Sequence, residues 1–354
     1  MSALPDFMPE PPESPVFEER NELSEGERAD GPPGENDSAA HPLLLPDPVE
    51  PADPAPALDL SLAPAAVEAL HEPLLAWYSQ PEIKPPTRIP HLGHVLLLCL
   101  LAMVGLLGSG LLTQGAIRLH LLGISTVKQA VEDIRYTLGS QAVFYLITFA
   151  ACLILFPLMW DQGFLAGVQW RIRTALRLRW RLFGAAFVCF GLAMINGILL
   201  PGPPDTPIDR IFRVPGAAWL LFAFGVTLAP FFEEMAFRGF LLPALCTAYD
   251  WTSEHFTGNR PRWPDVTGHP RWSFSAMAAG SVLTSIPFAL MHAEQTGYSL
   301  GPFLLLVSVS LVLCWVRLST KSLAASVLVH SSYNFLLFSL MLAGTGGFQH
   351  LDRM

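Results

Sequence analysis

The sequence predicts an all-α fold: a polytopic transmembrane bundle of about seven helices behind a disordered N-terminal tail. Three observations predict it. Of the 354 residues, 51% are hydrophobic and only 14% are charged, too apolar for a soluble domain of this size. Beyond residue 88, apolar runs recur at lengths suited to a hydrocarbon layer of roughly 30 Å, which about 20 helical residues can cross. Charge is also divided unevenly. Residues 1–88 hold 18 acidic and 4 basic side chains, a net of −14, whereas residues 89–354 hold 17 basic and 12 acidic, a net of +5.

The first element, residues 1–88, carries 18 of the 32 prolines and few aromatics. Such a chain cannot bury enough apolar surface to offset its ordering entropy, so it reads as an acidic, Pro-rich cytoplasmic tail acting as a spacer or docking segment. Within it, "PAAVEALHEPLLAWY" (64–78) has the pattern of a short amphipathic helix at the membrane surface. The acidic N-terminus lacks an apolar core segment, so no signal peptide is expected. The five cysteines, Cys99, Cys152, Cys189, Cys246 and Cys314, lie in or beside apolar runs without metal-type spacing. That argues against a disulfide framework and against a cysteine zinc site.

The second element, residues 89–354, is the membrane domain. Its spans are expected at 92–113, 141–160, 182–200, 217–245, 273–292, 301–318 and 319–344. The fourth is too long for a perpendicular crossing and must tilt, kink near Pro230 or run beyond the membrane. Only "RLSTK" separates the sixth from the seventh. Basic residues favour the cytoplasmic side. The connection 161–181 contains five arginines, and placing it in the cytoplasm puts ten basic residues there against six opposite. The N-terminus is then cytoplasmic. The arginine run 171–181 is a topology signal first and a lipid-headgroup contact second.

Charges at bilayer depth are costly and normally face the bundle interior with a partner. In "LAPFFEEMAFRGFLLPAL" (228–245), Glu233 and Glu234 are such charges. Arg238 lies one turn after Glu234 on the same face, so those two can neutralise each other. Glu233, rotated about 100° away, needs a partner elsewhere. "SIPFALMHAE" offers His292, one turn after Phe288, and "VLVHSSYNF" offers His330 with Asn334 on one helical face. At about 1.5 Å per residue, Glu233 and His330 come out roughly 18 and 16 Å from the ends of their spans, and His292 about 28 Å. His292 therefore matches the other two only if its helix starts early or runs obliquely. His91, His94, His120, His255, His269 and His350 lie at span edges or in loops and are given no role.

These pieces resemble the CPBP family, the CAAX-protease and bacteriocin-processing (Abi) group that includes type II CAAX prenyl endopeptidases. Its motifs EExxxR, FxxxH and HxxxN read here as Glu233-Glu234-xxx-Arg238, Phe288-xxx-His292 and His330-xxx-Asn334, in the family's order. The resemblance covers a core of about 217–340. It implies an intramembrane endopeptidase, a hydrolase in which Glu233 and His292 activate water, and His330 and Asn334 stabilise the oxyanion. Glu234, Arg238 and Phe288 are then supporting residues.

That chemistry is sound for these residue types. A carboxylate among apolar helices can take a proton from water, and an amide donor at a developing oxyanion is worth on the order of 10²–10³ in rate. A glutamate mechanism without cofactor is favoured. Glu233, His292 and His330 are nevertheless also a donor set that holds zinc in metalloproteases. Neither a rhomboid GxSG nor the presenilin-type YD and GxGD pair is present. The expected partners are the bilayer and a membrane-proximal or prenylated peptide or protein, with no nucleic acid. The expected location is the plasma membrane of a bacterium. Two other readings use the same cluster: a non-catalytic scaffold or immunity protein that sequesters a peptide, and a proton-coupled transporter, which the lack of a visible repeat disfavours.

Overall fold

Among the described residues of the computed structural model, seven helices long and apolar enough to cross a membrane follow one another. The structure describes residues 88–348, apart from 204, 205, 213, 215, 259–261, 263 and 266–269. The tail and the helix expected at 64–78 lie outside the described residues. The seven are α1 (Leu92–Arg118), α2 (Ile134–Trp160), α3 (Arg179–Leu199), α4 (Ala217–Thr257), α5 (Phe274–Met291), α6 (Leu300–Thr320) and α7 (Leu323–Gly344). Short helices at Val127–Glu132, Phe164–Gly167, Ile172–Arg177 and Pro207–Phe212 occupy the connections between the spans.

Of four apolar clusters among the described residues, three hold the spans that carry the site. One joins α3, α6 and α7 around Leu182, Cys189, Leu313 and Val329. A second joins α1, α2 and α4, with Phe156, Trp160, Phe164 and Phe240 at its centre. A third, smaller one packs α5 between α4 and α6 through Leu242, Cys246, Ala276 and Cys314. Outward faces stay apolar as well. Leu107, Leu111, Leu158, Ile198 and Phe187 are all more than half exposed, the pattern of a surface that meets lipid tails instead of water.

α4 both bends and overruns its expected end. It breaks at Thr227 (φ −115°, ψ −71°), so Pro230 falls in the first turn of the next segment, Leu228–Glu234, where a missing N–H is least costly. The chain then makes a π-helix over Met235–Leu241 before resuming as Leu242–Thr257. Pro243 accounts for part of this. Having no N–H, it cannot serve the carbonyl of Arg238 in the π register, and Nε of Arg317 donates to that carbonyl instead at 3.1 Å.

The overrun resolves the mismatch in depth. At the start of α5, the backbone N–H and hydroxyl of Ser273 donate to the two carboxylate oxygens of Asp250, at 2.8 and 2.6 Å. Counting back from that clamp, Glu233 is 17 residues away along α4 and His292 is 19 away along α5. These are rises of about 26 and 28 Å, so the two side chains reach the same level.

Candidate active site

Three helices meet at the site. Glu233 and Glu234 stand at the end of the segment Leu228–Glu234 in α4. His292 is the C-cap of α5. His330 lies in α7, entered through Ser322, whose hydroxyl accepts from the Ala325 N–H.

The two glutamates divide their roles by burial. Glu234 and Arg238 are fully buried, and Nη1 of Arg238 donates to Oε1 of Glu234 at 2.9 Å. Nη2 of Arg238 donates to the hydroxyl and the carbonyl of Ser310 in α6, at 2.6 and 3.2 Å. The same guanidinium lies 4.5 Å from the Phe288 ring centroid, a cation–π contact within the low-dielectric interior. Glu233 keeps 13% of its side chain accessible, and its Oε2 lies 3.9 Å from Nε2 of His292 and 3.8 Å from Nε2 of His330.

Hydrogen bonds fix the histidine tautomers. Nδ1 of His292 lies 2.9 Å from the Phe288 carbonyl, which only accepts, so Nδ1 carries the proton and neutral His292 presents a lone pair at Nε2. Nδ1 of His330 lies 2.9 Å from Oε1 of Glu234, the oxygen already bound by Arg238, and the same logic leaves a lone pair at Nε2. The two Nε2 atoms are then acceptors, each within 3.9 Å of a third acceptor, Oε2 of Glu233, so a group that donates suits the space beside them. Separations of 3.8 and 3.9 Å are within reach of one bridging water hydrogen-bonded at about 2.8 Å on each side. They are wider than the roughly 3.4 Å between ligand atoms of a tetrahedral zinc with bonds of about 2.1 Å.

Each residue singled out in the sequence has a place here. Phe288 supports twice: its carbonyl orients His292, and its ring lies against both Arg238 and His330. Asn334 sits one turn from His330 and donates from Nδ2 to the Gly225 carbonyl at 2.7 Å, beside the break in α4. Its second N–H remains for another acceptor. Two supporting residues escaped the sequence reading. Ser310 looks like an ordinary serine in an apolar run. Arg317, counted as a flanking charge in the α6–α7 link, is instead a buried residue of α6, 3% exposed, that steadies the π-helix. The available signal was their spacing of seven, which puts both on the face of α6 turned toward α4.

Comparison with known proteins addresses the same segment. No curated protein and no solved structure matches the chain. The family model described as Type II CAAX prenyl endopeptidase Rce1-like matches residues 215–336, the stretch that contains Glu233, Glu234, Arg238, Phe288, His292, His330 and Asn334. Residues 215–336 of this integral membrane protein are thus similar to the Rce1-like family of type II CAAX prenyl endopeptidases.

Proposed function

We propose that the protein hydrolyses a peptide bond of a membrane-proximal or prenylated peptide or protein, with a water activated by Glu233 and His292 and without a metal. The observation that carries the reading is the convergence of Oε2 of Glu233 with Nε2 of His292 and Nε2 of His330, at 3.9 and 3.8 Å.

In this mechanism the water donates one hydrogen bond to Glu233 and one to His292, leaving an oxygen lone pair for the substrate carbonyl. Glu233 takes the proton as the C–O bond forms. When substrate binds, His330 takes a second proton from solvent at Nε2, and this N–H and the second N–H of Asn334 donate to the oxyanion; His330 releases that proton again with the products. Collapse of the tetrahedral species breaks the C–N bond, and Glu233 returns its proton to the leaving amine. Were zinc bound, Glu233, His292 and His330 would hold it and it would act as a Lewis acid. The wide spacing of the three atoms favours the bridging water. The arginines of 171–181 support an orientation with the N-terminal tail in the cytoplasm, and the resemblance points to a bacterial plasma membrane.

The test is cleavage of fluorogenic peptides, prenylated and unprenylated, by purified full-length protein in detergent. Glu233→Gln and His330→Ala are each expected to lower kcat by at least about 10²-fold, and a zinc chelator to leave the wild-type rate unchanged. Wild-type activity in both variants refutes the assignment. Loss of activity in chelator, restored by zinc, refutes the metal-free mechanism.

A further inference from the structure

A second polar site lies where α6 ends and α5 begins, closed on one side by the connection that precedes the helix Ile172–Arg177. It is a cavity of about 350 Å³ whose polar lining comes from Gln169, Arg262, Arg271, Trp272, Arg317 and Lys321. Four of these six carry positive charge. Lys321 is paired with Asp265 at 2.5 Å. The nearby Glu254 carboxylate, which accepts from the Arg262 backbone N–H, is paired with Arg88 at 2.7 Å. An excess of three guanidinium charges remains around the cavity.

Arg317 carries the argument. It is 3% exposed, yet its hydrogen bonds go only to backbone carbonyls: Nε to Arg238 at 3.1 Å and Nη2 to Val168 at 3.5 Å. Among the described residues no carboxylate pairs with it. A guanidinium stays charged in a protein, and a buried charge without a counter-ion is expensive. Arg317 also lines the cavity, so an anion there would supply the missing charge. Trp272 forms a wall and offers no free donor, because its indole N–H donates to Thr247 at 3.1 Å. Arg262 and Arg271 are exposed and stand at the mouth. Planar guanidinium forks match tetrahedral oxyanions with paired hydrogen bonds, and basic pockets between membrane helices suit phosphate headgroups.

The cavity is separate from the glutamate–histidine cluster. Arg317 is seven residues, about 10 Å of helix, beyond Ser310. None of the residues that line the cavity is Glu233, Glu234, His292 or His330.

We propose that this cavity binds a phosphate anion, carried by a lipid headgroup or free in solution. The test uses full-length protein purified in an uncharged maltoside detergent, with thermal unfolding and native mass spectrometry as readouts. The probes are inorganic phosphate in one arm, and short-chain phosphatidic acid with phosphatidylcholine as its control in the other. Saturable binding is expected in at least one arm. The dissociation constant should weaken at least about tenfold in Arg262→Gln/Arg271→Gln, whose altered side chains are exposed and leave the unliganded protein as stable as wild type. Binding of phosphatidic acid alone assigns the anion to a headgroup, and binding of inorganic phosphate shows that the free anion suffices. The proposal is overturned if wild type binds neither probe saturably, if phosphatidylcholine binds equally well, or if the double variant and Arg317→Gln bind as tightly as wild type.

Discussion

Glu233 and Glu234 are neighbours in sequence with opposite requirements. Glu234 is fully buried, bound to Arg238 and His330 through one oxygen, while its Oε2 has no hydrogen-bond partner among the described residues. Replacing it with alanine leaves a buried guanidinium and an imidazole without their shared acceptor. Loss of one partner from a buried pair costs about 3–5 kcal/mol, so Glu234→Ala is expected to lower the unfolding temperature sharply in detergent. Glu233 is partly accessible and makes no contact shorter than 3.8 Å to the histidines, so Glu233→Gln should change stability by less than about 1 kcal/mol while removing activity. Equal unfolding temperatures for the two variants would contradict this division. The i,i+4 spacing made the Glu234–Arg238 pair legible in the sequence. The Glu234–His330 bond was not legible, because it joins α4 to α7 across 96 residues and no local period encodes such a contact.

At the scale of the element, the proposed activation of water by Glu233 and His292 requires α5 to lie close against α4, and Gly280 stands at that contact. A Cβ on Gly280 would stand 2.7 Å from Sγ of Cys246, with the next neighbours, Cys246 N and Leu242 Cδ1, at 3.4 and 3.6 Å. Gly280→Ala should therefore push α5 outward at a cost of about 1–3 kcal/mol. It should also lower kcat, because His292 moves away from Glu233 although no residue of the cluster has changed. Cys246→Ala removes the atom in conflict, so the double variant Gly280→Ala/Cys246→Ala should recover most of the stability and rate. A double variant no better than the single one would show that helix spacing is not the cause. The sequence located α5 to within a residue or two but left His292 out of register. The missing fact was the Asp250–Ser273 clamp, whose Asp250 lies in a stretch the hydropathy pattern assigned to a loop. The π-helix at 235–241 was equally hidden, since Pro243 alone does not specify where its unmatched carbonyl finds a donor.

For the whole molecule, the seven crossings were readable because long apolar runs have few alternatives once every backbone group must be paired within the bilayer. The short helices in the connections were not, because four to six residues carry too little pattern to distinguish a turn from a helix. Among the described residues, the cluster draws its hydrogen bonds and ion pairs from Gly225, Glu233, Glu234, Arg238, Phe288, His292, Ser310, His330 and Asn334. None of these lies in the acidic tail. A chain beginning at residue 81 retains all seven helices and every one of those contacts. It is therefore expected to insert, to unfold at the wild-type temperature and to cleave the same peptides at the wild-type rate. The 18 acidic side chains of residues 1–88 can still act over distance by attracting basic substrates, an effect that salt screens beyond about 10 Å at 0.1 M. Comparing the two proteins on acidic and basic peptides at low and high salt separates these contributions. Equal rates at high salt with a selective loss on basic peptides at low salt would make the tail an electrostatic guide, whereas a loss on all peptides at both salts would contradict a site complete within the helical domain.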